Sequence, residues 1–188
     1  MNILRFLILF SALLLAGCSD SFVPKPRGYF RIAFPEHTYT QYDAPCGTSM
    51  EIPTFSKIEI RKSDQDSCWY NIVFPQFKAR VHCTYLKVGG SVTPYVEDAY
   101  NFAFKHEMKA NAIRRTEFLS DSAGTFGTLY HLTGDVASPL QFFVSDSTNH
   151  FLRGSVYFSS TVNADSLEPV VAYIKEDLEH LMQTTRWH

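Results

Sequence analysis

At 188 residues, 45% hydrophobic and 15% aromatic, the chain has the length and apolar content of one domain with a real core, which excludes disordered and collagen-like classes. Its 17 Lys and Arg stand against 19 Asp and Glu, a formal charge of −2. That balance supplies no electrostatic footprint for nucleic acid or for an anionic membrane surface.

The first segment, MNILRFLILFSALLLAGC, has a basic residue at Arg5, an apolar run from Phe6 to Ala16, and then Cys18. The run is shorter than the roughly 20 residues a spanning helix needs, so it reads as an export signal. Leu15-Ala16-Gly17-Cys18 matches the bacterial lipobox, in which the cysteine is lipidated and becomes the first mature residue. Residues 1–17 are therefore expected to be a lipoprotein signal peptide. Acyl chains on Cys18, at about 0.8 kcal/mol per buried methylene, make a durable anchor when two or more are present. The mature chain would keep 16 Lys and Arg against 19 Asp and Glu, because residues 1–17 hold Arg5 and no acid.

After Cys18, residues 19–28 continue as SDSFVPKPRG, whose two prolines, glycine and small polar residues make 18–28 an extended tether of at most about 30 Å. Only Ser19 and Asp20 follow Cys18, with no acidic cluster to direct the protein to the outer cell surface. A globular domain over 29–188 facing the periplasm is the expectation, with the inner membrane slightly favoured over the outer. Tyr29, Phe30, Tyr39 and Tyr42 fall in an early, loop-like segment where they would lie over a sheet or meet a partner.

TFSKIEIRK alternates, and CWYNIVFPQFKARVHCTYLKV gives two β-branched and aromatic runs broken near Pro75, the mark of a hairpin or sharp bend. The period then changes. Tyr95, Ala99, Phe102, Ala103, His106, Ala110 and Ile113 recur at spacings of three and four, which predicts an amphipathic helix over 94–115 with Thr93 as its cap. Lys109, Arg114 and Arg115 would then lie at its negative end. After the turn-rich SDSAGTFG, strands are expected at Thr125–Thr133, Pro139–Ser145 and His150–Phe158. A last helix, capped by Asp165 or Ser166, would bury Leu167, Val170, Val171, Ile174, Leu178 and Leu181. This order predicts an α+β fold: an antiparallel β-sheet packed against two main helices.

Of the cysteines beyond the anchor, Cys46 and Cys68 sit beside turn-rich sequence, while Cys83 lies inside an alternating strand. A Cys46–Cys68 disulfide is the pairing this suggests, and its loop would stabilise by roughly 3 kcal/mol in the chain-entropy model. No Cys or His spacing suggests zinc, His106-Glu107 lacks the second histidine of a zinc helix, and SDQDS lacks the glycine and distal Glu of a calcium loop. No metal or cofactor is expected.

Asp146, Ser147 and His150 lie close enough in sequence to suggest a hydrolytic triad, yet one tight loop rarely gives that geometry, and no GxSxG elbow is present. A polar hairpin tip is the simpler reading. Arg153 sits mid-strand beside Gly154, where an arginine either fixes a carboxylate such as Asp146 or belongs to an exposed protein-binding patch. The candidate partner-binding residues are Arg27, Tyr29, Arg31, Asp146, His150 and Arg153.

PKPRGYFRIAFPEHTY after a lipobox, WYNIVFPQFKARVH, EDAYNFAFKHEMKANAI, QFFVSDSTNHFLRGSVYF and DSLEPVVAYIKEDLEHL together resemble the gliding motility-associated lipoprotein GldD family. The resemblance implies a lipid-anchored, non-catalytic accessory of a gliding apparatus tied to type IX secretion. It also implies an integral inner-membrane partner, GldE, which carries CBS-type domains. The order of elements is similar to the PsbP/Mog1 type of α+β sandwich, by analogy of architecture alone. Two alternatives stand beside this reading: an envelope hydrolase using the Asp146–His150 segment, and a small-ligand-binding lipoprotein.

Overall fold

Period-two burial builds most of the molecule. The computed structural model describes residues 32–63, 66–105, 109–121, 123–159 and 164–188. Its strands are β1 (Tyr39–Ala44), β2 (Thr48–Pro53), β3 (Lys57–Ser63), β4 (Ser67–Phe74), β5 (Ala79–Lys87), β6 (Ala110–Ser120), β7 (Thr125–Gly134), β8 (Leu140–Ser145), β9 (His150–Phe158) and β10 (Arg186–Trp187). Its helices are α1 (Thr93–Phe104) and α2 (Ala164–Thr184). Seven strands form one antiparallel sheet in the order β3-β4-β5-β9-β8-β7-β6, and β1-β2-β10 form a smaller one. The fold is α+β.

One face of the large sheet carries Tyr70, Ile72, Phe74, Val81, Cys83, Leu129, Phe142, Val144, Leu152 and Val156. Over it lie α2, through Val170, Val171, Ile174, Leu178 and Leu181, and β2, through Met50 and Ile52. The opposite face is closed only in part, where α1 sets Ala99 and Ala103 against Tyr130, Leu132, Phe143 and Phe151. β8 is buried along its whole length because both faces are covered at that strand.

Gly154 is required where β9 crosses β8. It pairs with Phe142, whose ring occupies the space a Cβ would need. The turn from β4 to β5 uses a short 3₁₀ segment at Pro75–Phe77, with Lys78 in the left-handed region at φ 50°, which matches the bend read from Pro75. β3 and β4 pair antiparallel; of SDQDS between them, Asp64 and Gln65 lie outside the described residues.

The structure corrects the expected helix over 94–115. α1 ends at Phe104, and Ala110–Ser120 is a strand paired with β7. Ala110 and Ile113 fit a helical spacing, but Ile113, Arg115, Glu117 and Leu119 also alternate with Ala112, Arg114, Thr116 and Phe118. Pairing with a half-buried strand decides between two periods that the local sequence supports equally. Arg114 and Arg115 are strand residues, so no helix dipole accounts for them. Thr93 is the first helical residue, with Val92 at the cap position; Ser91 Oγ accepts the Thr93 N–H at 3.3 Å. α2 begins at Ala164, so Asp165 and Ser166 stand in its first turn. The early loop-like segment contains β1 and β2, which place Tyr39 and Tyr42 in a sheet. His106 lies outside the described residues.

Candidate functional site

The polar tip between β8 and β9 is held by its own backbone. Asp146 Oδ1 accepts N–H bonds from Thr148 at 3.0 Å, Asn149 at 2.8 Å and His150 at 2.9 Å. Burial pushes the Asp146 carboxyl up, but these three donors outweigh it and hold the group below its usual range. Ser147 takes φ 73°, its N–H bonding Ser145 Oγ at 3.2 Å, and Ser145 Oγ donates to the His150 carbonyl at 2.7 Å. His150 Nδ1 meets Tyr85 Oη at 2.8 Å, while its Nε2 stands 4.0 Å from Asp146 Oδ2. The imidazole is committed to Tyr85 and the carboxylate to the turn, so the segment is built as a clamp rather than as a nucleophile, base and orienter in series.

His150 also ties the hairpin to the C-terminus. Its ring stacks on Trp187 of β10 at 5.1 Å and an interplanar angle of 7°. Nearby, Cys46, Cys68 and Cys83 all act on Tyr42, whose hydroxyl is raised to about 12, first by burial and then by these thiols. The expected Cys46 and Cys68 pair is thus drawn into one neighbourhood with Cys83. Burial pushes the Cys83 thiol well up.

Arg153 faces the other way, toward α1. Its guanidinium lies over the Phe102 ring, 4.0 Å from the centroid. Burial lowers its pKa, and Tyr157 and Asp98 act in the opposite sense. It does not fix Asp146: among the described residues, no carboxylate lies within ion-pair distance of it. With His82, Thr84, Ser155 and Tyr157 it lines a shallow depression of about 340 Å³. Cys18, Arg27, Tyr29 and Arg31 lie outside the described residues.

A second polar group was not anticipated from the sequence. Asp177 of α2 is 1% exposed, and its Oδ1 is 2.7 Å from His37 Nδ1 and accepts Tyr39 Oη at 3.1 Å. Burial raises the Asp177 carboxyl, and His37 and Tyr39 pull it back. His37 Nε2 lies 3.1 Å from Glu176, and its ring stacks on Tyr173 at 4.2 Å. Tyr173 Oη donates to the Pro35 carbonyl at 3.0 Å, and Phe34 stacks on the Tyr173 ring at 4.8 Å. Residues 34–39 are thereby strapped across α2. The available signal was an Asp within the apolar stripe of Ile174, Leu178 and Leu181, where an acid needs a partner.

A wide opening lies between α1 and strands β6 to β8, with a volume of about 850 Å³. Tyr100, Phe118, Leu119, Phe126, Tyr130 and Phe143 give it an aromatic and aliphatic lining, with Glu97, Arg115 and Glu117 among the polar groups. Leu119 is 74% exposed, and Tyr100 and Phe102 are about two-fifths exposed. Large apolar side chains in water around a concave surface suit a binding partner.

The family model for the gliding motility lipoprotein GldD matches residues 19–187, which takes in both sheets, both helices and the groove. The chain belongs to the GldD family. A search among curated proteins gives no match. As a GldD lipoprotein it is an accessory component of gliding motility, anchored to a membrane of the cell envelope. No helix among the described residues of this GldD protein is long and apolar enough to cross a membrane.

Proposed function

We propose that this GldD protein is a non-catalytic interaction module of a gliding apparatus tied to type IX secretion. It would be held by a lipid on Cys18 and a tether over 18–28, with the domain over 29–188 facing the periplasm from the inner membrane. Its partner in this reading is the integral membrane protein GldE, and a Cys46–Cys68 disulfide would brace the β1–β2 turn against β4. The observation that carries the reading is the aromatic groove of about 850 Å³ beside α1, with exposed Tyr100 and Leu119 at its rim.

A photoreactive amino acid placed at Tyr100 in the full-length lipidated protein, activated in intact cells, is expected to capture an integral membrane protein identifiable as GldE by mass spectrometry. Capture at Lys57 on the far edge of the sheet should be absent. If position 100 yields no adduct with an integral membrane protein, or the same adducts as position 57, the groove is not the partner site. A second reading is favoured by the same volume, which falls in the range of small-molecule pockets. In that case native mass spectrometry of protein extracted from membranes would show a small apolar ligand displaced by Tyr130→Trp.

A further inference from the structure

β6 ends the seven-stranded sheet with eleven residues, Ala110–Ser120, and it bonds to β7 on one side. Among the described residues no strand pairs with its other side. Proteins ordinarily blunt such an edge with proline, short length or a bulge in the middle of the strand. Here there is no proline, and the one register shift falls at the very start, between Ala110 and Ala112. The rest is a regular template about eight residues long.

The direction of its free backbone groups follows from the ladder. Leu132 N–H bonds the Pro139 carbonyl at 2.8 Å, so even-numbered residues of β7 bond to β8 and odd-numbered ones bond to β6. Leu129 opposes Thr116 and Gly127 opposes Phe118, so the even-numbered residues of β6 are used inside the sheet. Ile113, Arg115, Glu117 and Leu119 turn their N–H and C=O groups outward. Their side chains all stand on the face that carries α1.

We propose that β6 is a homodimer edge, at which two copies pair antiparallel about Thr116 and join their sheets into one. Two-fold symmetry and the outward odd residues restrict the registers to dyads that fall on a residue. A dyad at Arg115 sets Arg115 opposite itself, and a dyad at Glu117 sets Glu117 opposite itself; both place like charges together. A dyad at Thr116 sets Arg115 opposite Glu117 of the second copy, twice, and Ile113 opposite Leu119, twice. Arg115 and Glu117 are available for this exchange, since their side chains are 61% and 74% exposed and their mutual contact within one chain is long, at 3.7 Å. The pairing also covers Leu119, the most exposed large hydrophobic side chain among the described residues. Thr116 meets Thr116 in a non-hydrogen-bonded pair, a favourable cross-strand combination. Because the dyad runs through the sheet, both α1 grooves open on the same face of the joined sheet. A lipid anchor confines both copies to one surface, which raises their effective concentration.

The register makes Thr116→Cys decisive. In a non-hydrogen-bonded antiparallel pair the Cα atoms are about 4.5 Å apart, inside the range a disulfide spans. Arg114 would stand four residues from its own symmetry mate, roughly 14 Å, beyond that range. Full-length lipidated protein in envelope membranes would be treated with a mild oxidant and run on non-reducing gels. Thr116→Cys is expected to give a covalent dimer, with the link mapped by mass spectrometry to position 116 of both chains. Wild type and Arg114→Cys are expected to stay single. In the Thr116→Cys background, Arg115→Glu alone and Glu117→Arg alone should each lower the dimer yield several-fold, and the two together should restore it. No dimer from Thr116→Cys overturns the proposal, as does an equal yield from Arg114→Cys, a yield indifferent to charge reversal, or a link to a different protein. Capture of GldE from position 100 is read separately, so either outcome stands without the other.

Discussion

His37→Phe tests the strap over α2, because it keeps an aromatic ring against Tyr173 and removes both nitrogens. The lost contact to Asp177 is short, 2.7 Å, and its acceptor is 1% exposed. A hydrogen bond to a charged group contributes about 1.5–3 kcal/mol net. The contact with Glu176, whose side chain is 67% exposed, adds between about 0 and 1 kcal/mol. Tyr39 still donates to Asp177 at 3.1 Å, which keeps the loss below the roughly 3–5 kcal/mol of a buried charge left with no partner. The expected cost is about 2 kcal/mol, or about 4–8 °C in midpoint for a domain of this size. Thermal unfolding followed by circular dichroism at neutral pH would measure it. A double-mutant cycle isolates the pair: in an Asp177→Asn background the same change at His37 should cost at least about 1 kcal/mol less. Additive costs, or a single-mutant loss within about 0.5 kcal/mol, would show that the 34–39 segment is held by its rings alone.

Asp146→Ala removes the acceptor of three N–H groups, two of them from exposed residues, and is expected to cost about 1–2 kcal/mol at neutral pH, the scale of a lost cap. The folded-state pKa of Asp146 is depressed, so its contribution is present above the unfolded value of about 3.9 and is lost as pH falls through the folded one. Melting curves of the variant and wild type should therefore converge in acid, and a gap that persists there would sink the carboxylate account. Gly154→Ala drives a methyl group into the Phe142 ring and should lower stability by about 1–3 kcal/mol, and an unchanged midpoint would mean the ring moves aside freely. Tyr100→Ala should leave stability within about 0.5 kcal/mol, since the side chain is 41% exposed, while abolishing capture of the membrane partner in a pull-down from solubilised membranes.

The strands with alternation were legible in the sequence because their period has one reading: β5 and most of β7 bury every second residue. β4, β8 and β9, buried on both faces over much of their length, were legible from their β-branched and aromatic runs. β6 was not, because Ala110 and Ile113 continue the helical spacing of α1, and the neighbour that decides the matter, β7, is later in the chain. β1 and β2 were hidden for a related reason. β2 is buried at five of six positions, so it shows no alternation, and its partners include β10 at the opposite end of the chain. The polar tip at Asp146–His150 was read correctly as a turn, since Asp, Ser and Asn bond nearby backbone whatever the surroundings. Arg153 could not be resolved, because its contact, Phe102, is brought over β9 by a helix whose packing no local pattern reveals.

The two faces of the large sheet divide structure from recognition. On the face closed by α2, two of the polar side chains in the core have internal partners: Asp177 Oδ1 with His37 and Tyr39, and Tyr70 with Met50. Such groups are costly to move, because each leaves another buried and unsatisfied. The face under α1 holds the opposite kind of residue. Arg153 is a half-buried cation that rests on a ring rather than on a carboxylate, Leu119 and Tyr100 stand in water, and Arg115 and Glu117 touch each other only at long range. Each can be rearranged without exposing the core, and each gains from a surface brought to it. Binding on this face can therefore draw on side chains that folding has not already committed, and the strapped face supplies the rigidity against which a partner docks.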